Sequence, residues 1–248
     1  MIIYLFTDFG YQGPYVGELK TVLAQSIKNE KIVIDLMHDA PQFDPVSSAY
    51  ILAALSKRFQ PGDACLAVVD PGVGSQSRRP VIVEADGVIY CGPDNGLFSQ
   101  VIKNASDVKV SEIRWRPEKL SSSFHGRDLF APALCKRLNN DEISLKPLPP
   151  SDTTGYQWPA QISKVIYIDD FGNLITGLQS ESLSIKSNIL IKGQQLQYAE
   201  TFSAQEQGKP FWHVNSMGLV EVSVNQVRAN DYFSAEIGTE LSVINQNR

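Results

Sequence analysis

Basic charge is in short supply in this 248-residue chain. Lys and Arg number 22 against 27 Asp and Glu, for a formal charge of −5. Proteins whose main task is to hold nucleic acid carry a basic footprint, so the balance argues against nucleic acid as a partner. Cysteine is scarcer still. Cys65, Cys91 and Cys135 sit far apart in apolar runs with no Cys-x-x-Cys pair, which removes a zinc knuckle and a redox pair. So low and odd a count suits a reducing compartment. No apolar run nears the roughly 20 residues that span a bilayer. The N-terminal apolar segment lacks a basic start and meets Asp8 almost at once, unlike a signal peptide. A cytoplasmic protein with no membrane partner is expected. No Gly-x-Gly-x-x-Gly follows the first apolar run, which argues against a dinucleotide-type methyltransferase fold. Internal repeats and low-complexity tracts are also lacking.

What is present is a chain with an ordinary apolar share, 43%, and a charged share of 20%, enough for a full core in one large or two smaller domains. The first half alternates strand and helix patterns, which favours a mostly parallel sheet flanked by helices. Strands are expected at Ile2–Phe6, Ile32–Leu36 and Leu66–Val69. Helical spacing appears in Tyr15, Leu19, Val22, Leu23 and Ile27, and again in Ala49, Leu52, Ala53 and Leu55 after a cap at Asp44 or Ser47. Asp86-Gly87 between two β-type runs predicts a hairpin. Leu97, Val101 and Ile102 suggest a short helix, and Leu129, Phe130, Ala133, Leu134 and Leu138 another. Pro147, Pro149, Pro150 and Pro159 mark a linker over 147–160 between an α/β domain, 1–146, and a smaller all-β domain, 161–248, whose short apolar runs recur without helical spacing.

Several loops place an acid among glycines just past an apolar run: Thr7-Asp8-Phe9-Gly10, Asp70-Pro71-Gly72-Val73-Gly74, Pro93-Asp94-Asn95-Gly96 and Asp169-Asp170-Phe171-Gly172-Asn173. In open α/β sheets ligands gather at that end of the strands. One such loop alone reads as a turn. Of three histidines, His125 stands out, set in Phe124-His125-Gly126-Arg127-Asp128. Histidine passes protons near neutral pH, although a core or capping role fits it equally well. His38 and His213 read as structural.

These motifs, in this order and continuing to Asn215-Ser216-Met217-Gly218, resemble those of the S-adenosyl-L-methionine hydroxide adenosyltransferase family, relatives of the fluorinases and chlorinases. The resemblance implies an α/β N-terminal domain, a β-rich C-terminal domain, and a homotrimer with active sites between subunits. It implies attack of water or hydroxide on the ribose 5′ carbon of S-adenosylmethionine, yielding adenosine and L-methionine, with no metal and no cofactor besides the substrate. By resemblance, Asp70, Arg78 and His125 activate the water, with Asp70 or His125 as proton acceptor. Asp8 holds the ribose hydroxyls and Phe43 stacks near ribose or adenine. Asp169, Asn173 and Ser216 hold the methionine end, and Ala229 meets adenine through its backbone.

The chain departs from the family pattern in three places. The arginine expected seven residues after Asp70 is replaced by Ser77, with Arg78 and Arg79 following, so either arginine is a candidate. Val227-Arg228-Ala229 stands where Gly-Asn-Ala is usual, and Gly177 stands where Asn usually follows Thr176. A 5′-halogenase, a non-catalytic binder of S-adenosylmethionine or adenosine, and a metal-dependent hydrolase using Asp8, His38, Asp70 and His125 are the competing readings. Asp70 and His125 favour hydroxide over halide, because the halide-using relatives lack that pair.

Overall fold

The computed structural model describes residues 1–28, 30–74 and 78–244. Ser77 lies outside the described residues. The chain divides into two compact units, Met1–Trp158 and Pro159–Arg248.

Unit 1 is built on a seven-stranded sheet. Strands β1 (Ile2–Thr7), β2 (Ile32–Met37), β3 (Ala64–Val68), β4 (Pro80–Ala85), β5 (Val88–Pro93), β6 (Val108–Ile113) and β7 (Leu145–Leu148) lie in the order β2-β1-β3-β5-β4-β6-β7. The pairs β2·β1, β1·β3 and β3·β5 are parallel, as the strand–helix alternation requires. From β5 onward the pairs are antiparallel. The change comes at the expected hairpin, where Asp86 (φ +47°) and Gly87 (φ +82°) take the left-handed conformations a two-residue turn demands. Every residue of β3 is buried, as for a central strand covered on both faces.

Helix α1 (Tyr15–Ser26) follows β1, and α2 (Pro45–Ser56) follows β2. Asp44 caps α2 by accepting a hydrogen bond from Ser47 N at 3.0 Å, which decides between the two candidate caps; Pro45 takes the first helical position, where no amide is needed. A short α3 (Ser99–Asn104) follows β5, and α4 (Ala131–Leu138) lies between β6 and β7. Ile3 and Leu5 of β1, Leu66 and Val68 of β3, Leu19 and Leu23 of α1, and Leu134 and Leu138 of α4 share one buried core. Alternate residues along each strand enter it, following the two-residue period of a pleated strand.

The Pro-rich stretch holds regular structure of its own. Pro147 sits in β7, at the edge of the sheet, where a residue without an amide proton is tolerated. Pro150–Asp152 forms a single 3-10 turn.

Among the described residues of unit 2, the strand pairs within its two sheets are all antiparallel. Strands β8 (Ile162–Ile168), β9 (Leu174–Gln179), β12 (Pro210–Val214) and β13 (Leu219–Val224) form one antiparallel sheet in the order β12-β13-β9-β8. Strands β10 (Asn188–Ile191), β11 (Gln194–Leu196) and β14 (Leu241–Ile244) form a second. Trp212, Val220, Val222, Val224, Leu174, Ile189 and Phe233 of the one-turn helix α5 (Ala229–Phe233) pack between them. Buried Trp212 donates its indole N–H to Ser187 O at 3.0 Å. Gly177 is required by the neighbouring strand. A Cβ there would stand 2.3 Å from Ile162 Cγ1 and 2.8 Å from Ile162 O, so the β8–β9 crossing leaves no room for Asn or any other side chain.

Candidate active site

Two acids emerge side by side because their strands do. In the parallel β1·β3 pair Thr7 stands opposite Val68, so Asp8 and Asp70 both leave the sheet at its carboxyl edge. Asp70 closes a tight turn by accepting Gly72 N at 3.2 Å. Asp8 accepts Phe43 N at 3.1 Å. Phe43 reaches that position with φ +58°, an uncommon conformation for a bulky residue, and is 73% exposed.

Arg78 draws Asp70 and His125 into one cluster. Its Nη2 lies 3.0 Å from Asp70 Oδ2 and 2.8 Å from His125 Nδ1. The Asp70 and Arg78 side chains are 2% and 6% exposed, and the guanidinium lies 5.4 Å from the centre of the Phe130 ring. Arg78 can only donate, so His125 Nδ1 accepts, and a neutral His125 therefore carries its proton on Nε2. Burial raises the Asp70 carboxyl above its ordinary pKa, opposed by Arg78 and the Gly72 amide and reinforced by Asp8. Burial also raises Asp8, against the Phe43 amide. His125 is held below its ordinary value by burial, then by Arg78 and Arg116, with Asp128 opposing. Desolvation penalises each charged form, which is why the carboxyls move up and the imidazole down.

His125 owes its place to an irregular helix start. Ala131 N donates to Gly126 O, a bond spanning five residues, so Gly126–Phe130 forms a π turn before α4. Such wide turns inside helices recur at functional sites. The segment is tied down on both sides of the histidine. Phe124 packs edge-on against Phe9 and Tyr15. Arg127 bridges Asp128 at 2.6 Å and Glu18 at 2.5 Å.

The two candidate arginines have different partners. Arg79 turns away from Asp70 and pairs with Asp94 at 2.5 Å, while also donating to Asp152 O at 2.6 Å. Arg78 is the arginine beside Asp70 and His125. His38 belongs to neither group. It is 1% exposed, with Nδ1 2.8 Å from Thr7 Oγ1 and Nε2 3.2 Å from Asp35 Oδ1. Both ring nitrogens are engaged, so it offers no free ligand for a metal beside Asp8, Asp70 and His125. Among the described residues no three His, Cys, Asp or Glu side chains gather as metal ligands.

Unit 2 holds a cavity of about 610 Å³ lined by Phe171, Asn173, Phe202, Val224, Val227 and Arg228, among others. Phe171 is 78% exposed. Asp169 holds the loop by accepting Asn173 N at 2.8 Å and Asn173 Nδ2 at 2.9 Å. Gly172, at φ +83°, lets the loop press onto residues 228–230, where a Cβ would stand 2.5 Å from Asn230 Oδ1. Arg228 Nη1 donates to Asp170 O at 2.6 Å. Ala229 is wholly buried at the start of α5 and does not line the cavity. Ser216 lies in the turn between β12 and β13, where Asn215 Oδ1 accepts the amides of Met217 and Leu219 at 3.0 Å each. Sequence reasoning gave Phe130 only an apolar helix position and assigned no role to Arg116, Phe202 or Asn225. Phe130 stands two residues after the histidine motif, but nothing local marks it as the ring under Arg78, and the other three lie outside the motifs.

A buried acid–arginine–histidine cluster at the carboxyl edge of an α/β sheet, followed by a β unit with an aromatic cavity, defines a two-part protein built to handle a small organic ligand. Comparison with known proteins narrows the class. Residues 3–146 match the model of the SAM hydroxide adenosyltransferase N-terminal domain, and residues 163–242 match that of the C-terminal domain. The chain belongs to the S-adenosyl-L-methionine (SAM) hydroxide adenosyltransferase family. An (R)-S-adenosyl-L-methionine hydrolase of Methanocaldococcus jannaschii is 32% identical, over 98% of this chain and 95% of that protein. One of Thermus thermophilus is 31% identical, over 98% and 99%. A solved structure of a conserved hypothetical protein from Thermus thermophilus matches with a TM-score of 0.79 and 28% identity, covering 98% of this chain and 99% of that one. An uncharacterized conserved protein from Thermotoga maritima shares the fold, with a TM-score of 0.80 at 24% identity, covering 99% and 100%.

Proposed function

We propose that the protein is a hydrolase of S-adenosyl-L-methionine that forms adenosine and L-methionine. Water attacks the ribose 5′ carbon, a C–O bond forms, and the C–S bond breaks with its electron pair passing to sulfur. The sulfonium leaves as a neutral thioether and needs no acid, so the protein's task is to place a water in line and take its proton. Positioning of that kind is worth about 7–11 kcal/mol in favourable cases. The observation that carries the reading is the buried Asp70–Arg78–His125 cluster, together with hydrolase relatives aligned over nearly the whole chain.

The hydrogen-bond directions divide the work. His125 Nδ1 is occupied by Arg78, which leaves Nε2–H to hold the water oxygen. Asp70 is the group with acceptor capacity to spare, and burial makes it a stronger base than an ordinary carboxylate. We therefore assign the proton to Asp70, and to Arg78 the stabilisation of developing hydroxide. Asp8, beside Asp70, suits a vicinal diol because both carboxylate oxygens accept. The unit 2 cavity, with Phe171 and Phe202 in its lining, suits a flat aromatic ring.

The same reading includes a homotrimer, residence in the cytoplasm and no metal or other cofactor. Light scattering tests the trimer, and full turnover after dialysis against chelator tests the last. The deciding experiment is incubation with S-adenosylmethionine in heavy-oxygen water. Label in the 5′ hydroxyl of adenosine supports hydrolysis at carbon. Unlabelled adenosine, or a 5′-halo product from chloride buffer, overturns it.

A further inference from the structure

Asp94 and Asn95 take no part in the chemistry above, yet these two consecutive residues grip both ends of the stretch that carries it. Asn95 Nδ2 donates to the carbonyl of Val69, the residue before Asp70, at 2.8 Å. Asp94 N donates to the carbonyl of Arg79, the residue after Arg78, at 2.8 Å. The Asp94 carboxylate receives Arg79 Nε at 2.8 Å on one oxygen and Thr154 N at 2.8 Å on the other. The Thr154 hydroxyl donates to Asp94 O at 3.0 Å, and Arg79 continues to Asp152 O. The Asp94 side chain is 4% exposed, so this grip is largely screened from water.

The Asp70–Arg78 pair depends on such anchoring. Asp70 Oδ2 and Arg78 Nε are buried without a further hydrogen bond of their own. Beyond their contacts with His125, Phe130 and the Gly72 amide, the two side chains take their separation from the backbone beneath each, and that backbone is held one residue outside the pair on either side. A displacement of about 1 Å at a reacting group can cost on the order of 100-fold in rate.

We propose that Asp94 and Asn95 are positioning residues for the Asp70–Arg78–His125 cluster, Asp94 acting through Arg79 and Asn95 through the Val69 carbonyl. The kinetic part of the test rests on the hydrolase reading; the titration part does not.

The test uses full-length Asp94→Asn and Asn95→Ala variants, with folding checked by circular dichroism. Histidine ring signals are followed by NMR across pH without substrate, His125 being assigned by its loss in a His125→Asn variant. Arg78 and Arg116 face His125 and hold its pKa down, while Asp128 opposes them. Slackening the grip lets Arg78 retreat, so the His125 midpoint rises. Losing the Asp94 charge would by itself lower that midpoint, so a rise in Asp94→Asn reports movement and not charge. The expected result is an upward shift in both variants. It should accompany a fall in kcat on the order of 10- to 100-fold, with KM nearly unchanged. Wild-type His125 midpoints in folded variants overturn the proposal, even where thermal stability or rate has dropped. If Asp94→Asn fails to fold, Asn95→Ala, which removes one side chain's hydrogen bonds and no charge, decides alone. A shifted midpoint in a protein whose wild type releases no adenosine leaves the positioning role intact and overturns the hydrolase reading instead.

Discussion

The two units carry opposite kinds of site. In unit 1 the polar groups are buried, charged and interlocked: Asp70 and Arg78 are almost sealed from water, and His125 is held by the same guanidinium. In unit 2 the most prominent side chain of the cavity, Phe171, is mostly exposed, and the polar lining mixes the amides Asn173, Asn225 and Gln226 with Asp170 and Arg228. Buried charge in low dielectric acts strongly over short distances but tolerates little displacement. An open aromatic shelf binds through area and stacking and forgives small shifts. On the proposed function, the cluster of unit 1 would act on the reacting bond, and the cavity of unit 2 would act on binding.

The contrast can be broken at its strongest point first. Asp70→Asn keeps the shape and removes the base; kcat should fall by about 10²–10⁴ with KM little changed, in steady-state release of adenosine. A rise in KM at constant kcat would move Asp70 from chemistry to binding. The pH profile sharpens the same point. Asp70 must be ionised to take a proton, and His125 must be neutral to accept from Arg78. Both conditions fail as pH falls, so kcat/KM should drop on the acid side, by about tenfold per pH unit per group. Since Asp70 is raised and His125 lowered, the two acid transitions should lie closer together than ordinary values would put them. A profile flat from neutrality into the carboxylate range would remove both groups from the mechanism. The smallest effect belongs to unit 2. Phe171→Ala should raise KM about fivefold and leave kcat nearly unchanged, because stacking on an aromatic ring is worth about 1 kcal/mol or more per base. A loss confined to kcat would erase the division between the units.

Much of unit 1 was legible because its signals are local. Apolar runs of β type, Asp44-Pro45 at the head of α2 and Asp86-Gly87 in the hairpin each specify a conformation within a few residues. The sheet's antiparallel side was less visible. β6 alternates only over Val108-Lys109-Val110-Ser111 before Glu112 breaks the pattern, β7 is four residues long, and Pro147 argues against a strand unless the strand is an edge. In unit 2, Gly177 interrupts the apolar pattern of β9, and the cause, Ile162 pressing against it, lies on another strand and cannot be read locally. Within the site, Asp8, Asp70 and His125 were marked by their motifs. Which arginine joins them was not legible, since Arg78 and Arg79 are adjacent and differ only in where a distant Asp94 draws one of them. Phe130 beneath Arg78 reads from sequence as an ordinary apolar helix position.

The π turn at Gly126–Phe130 sets a phase. Each residue of an α-helix advances the backbone by about 100°, so the wide turn leaves His125 about that far around the axis from where an unbroken helix would carry it. Chain length within these five residues is thus a coordinate of the histidine. A one-residue excision there would keep every side chain of the cluster in the sequence and swing the imidazole off its arginine.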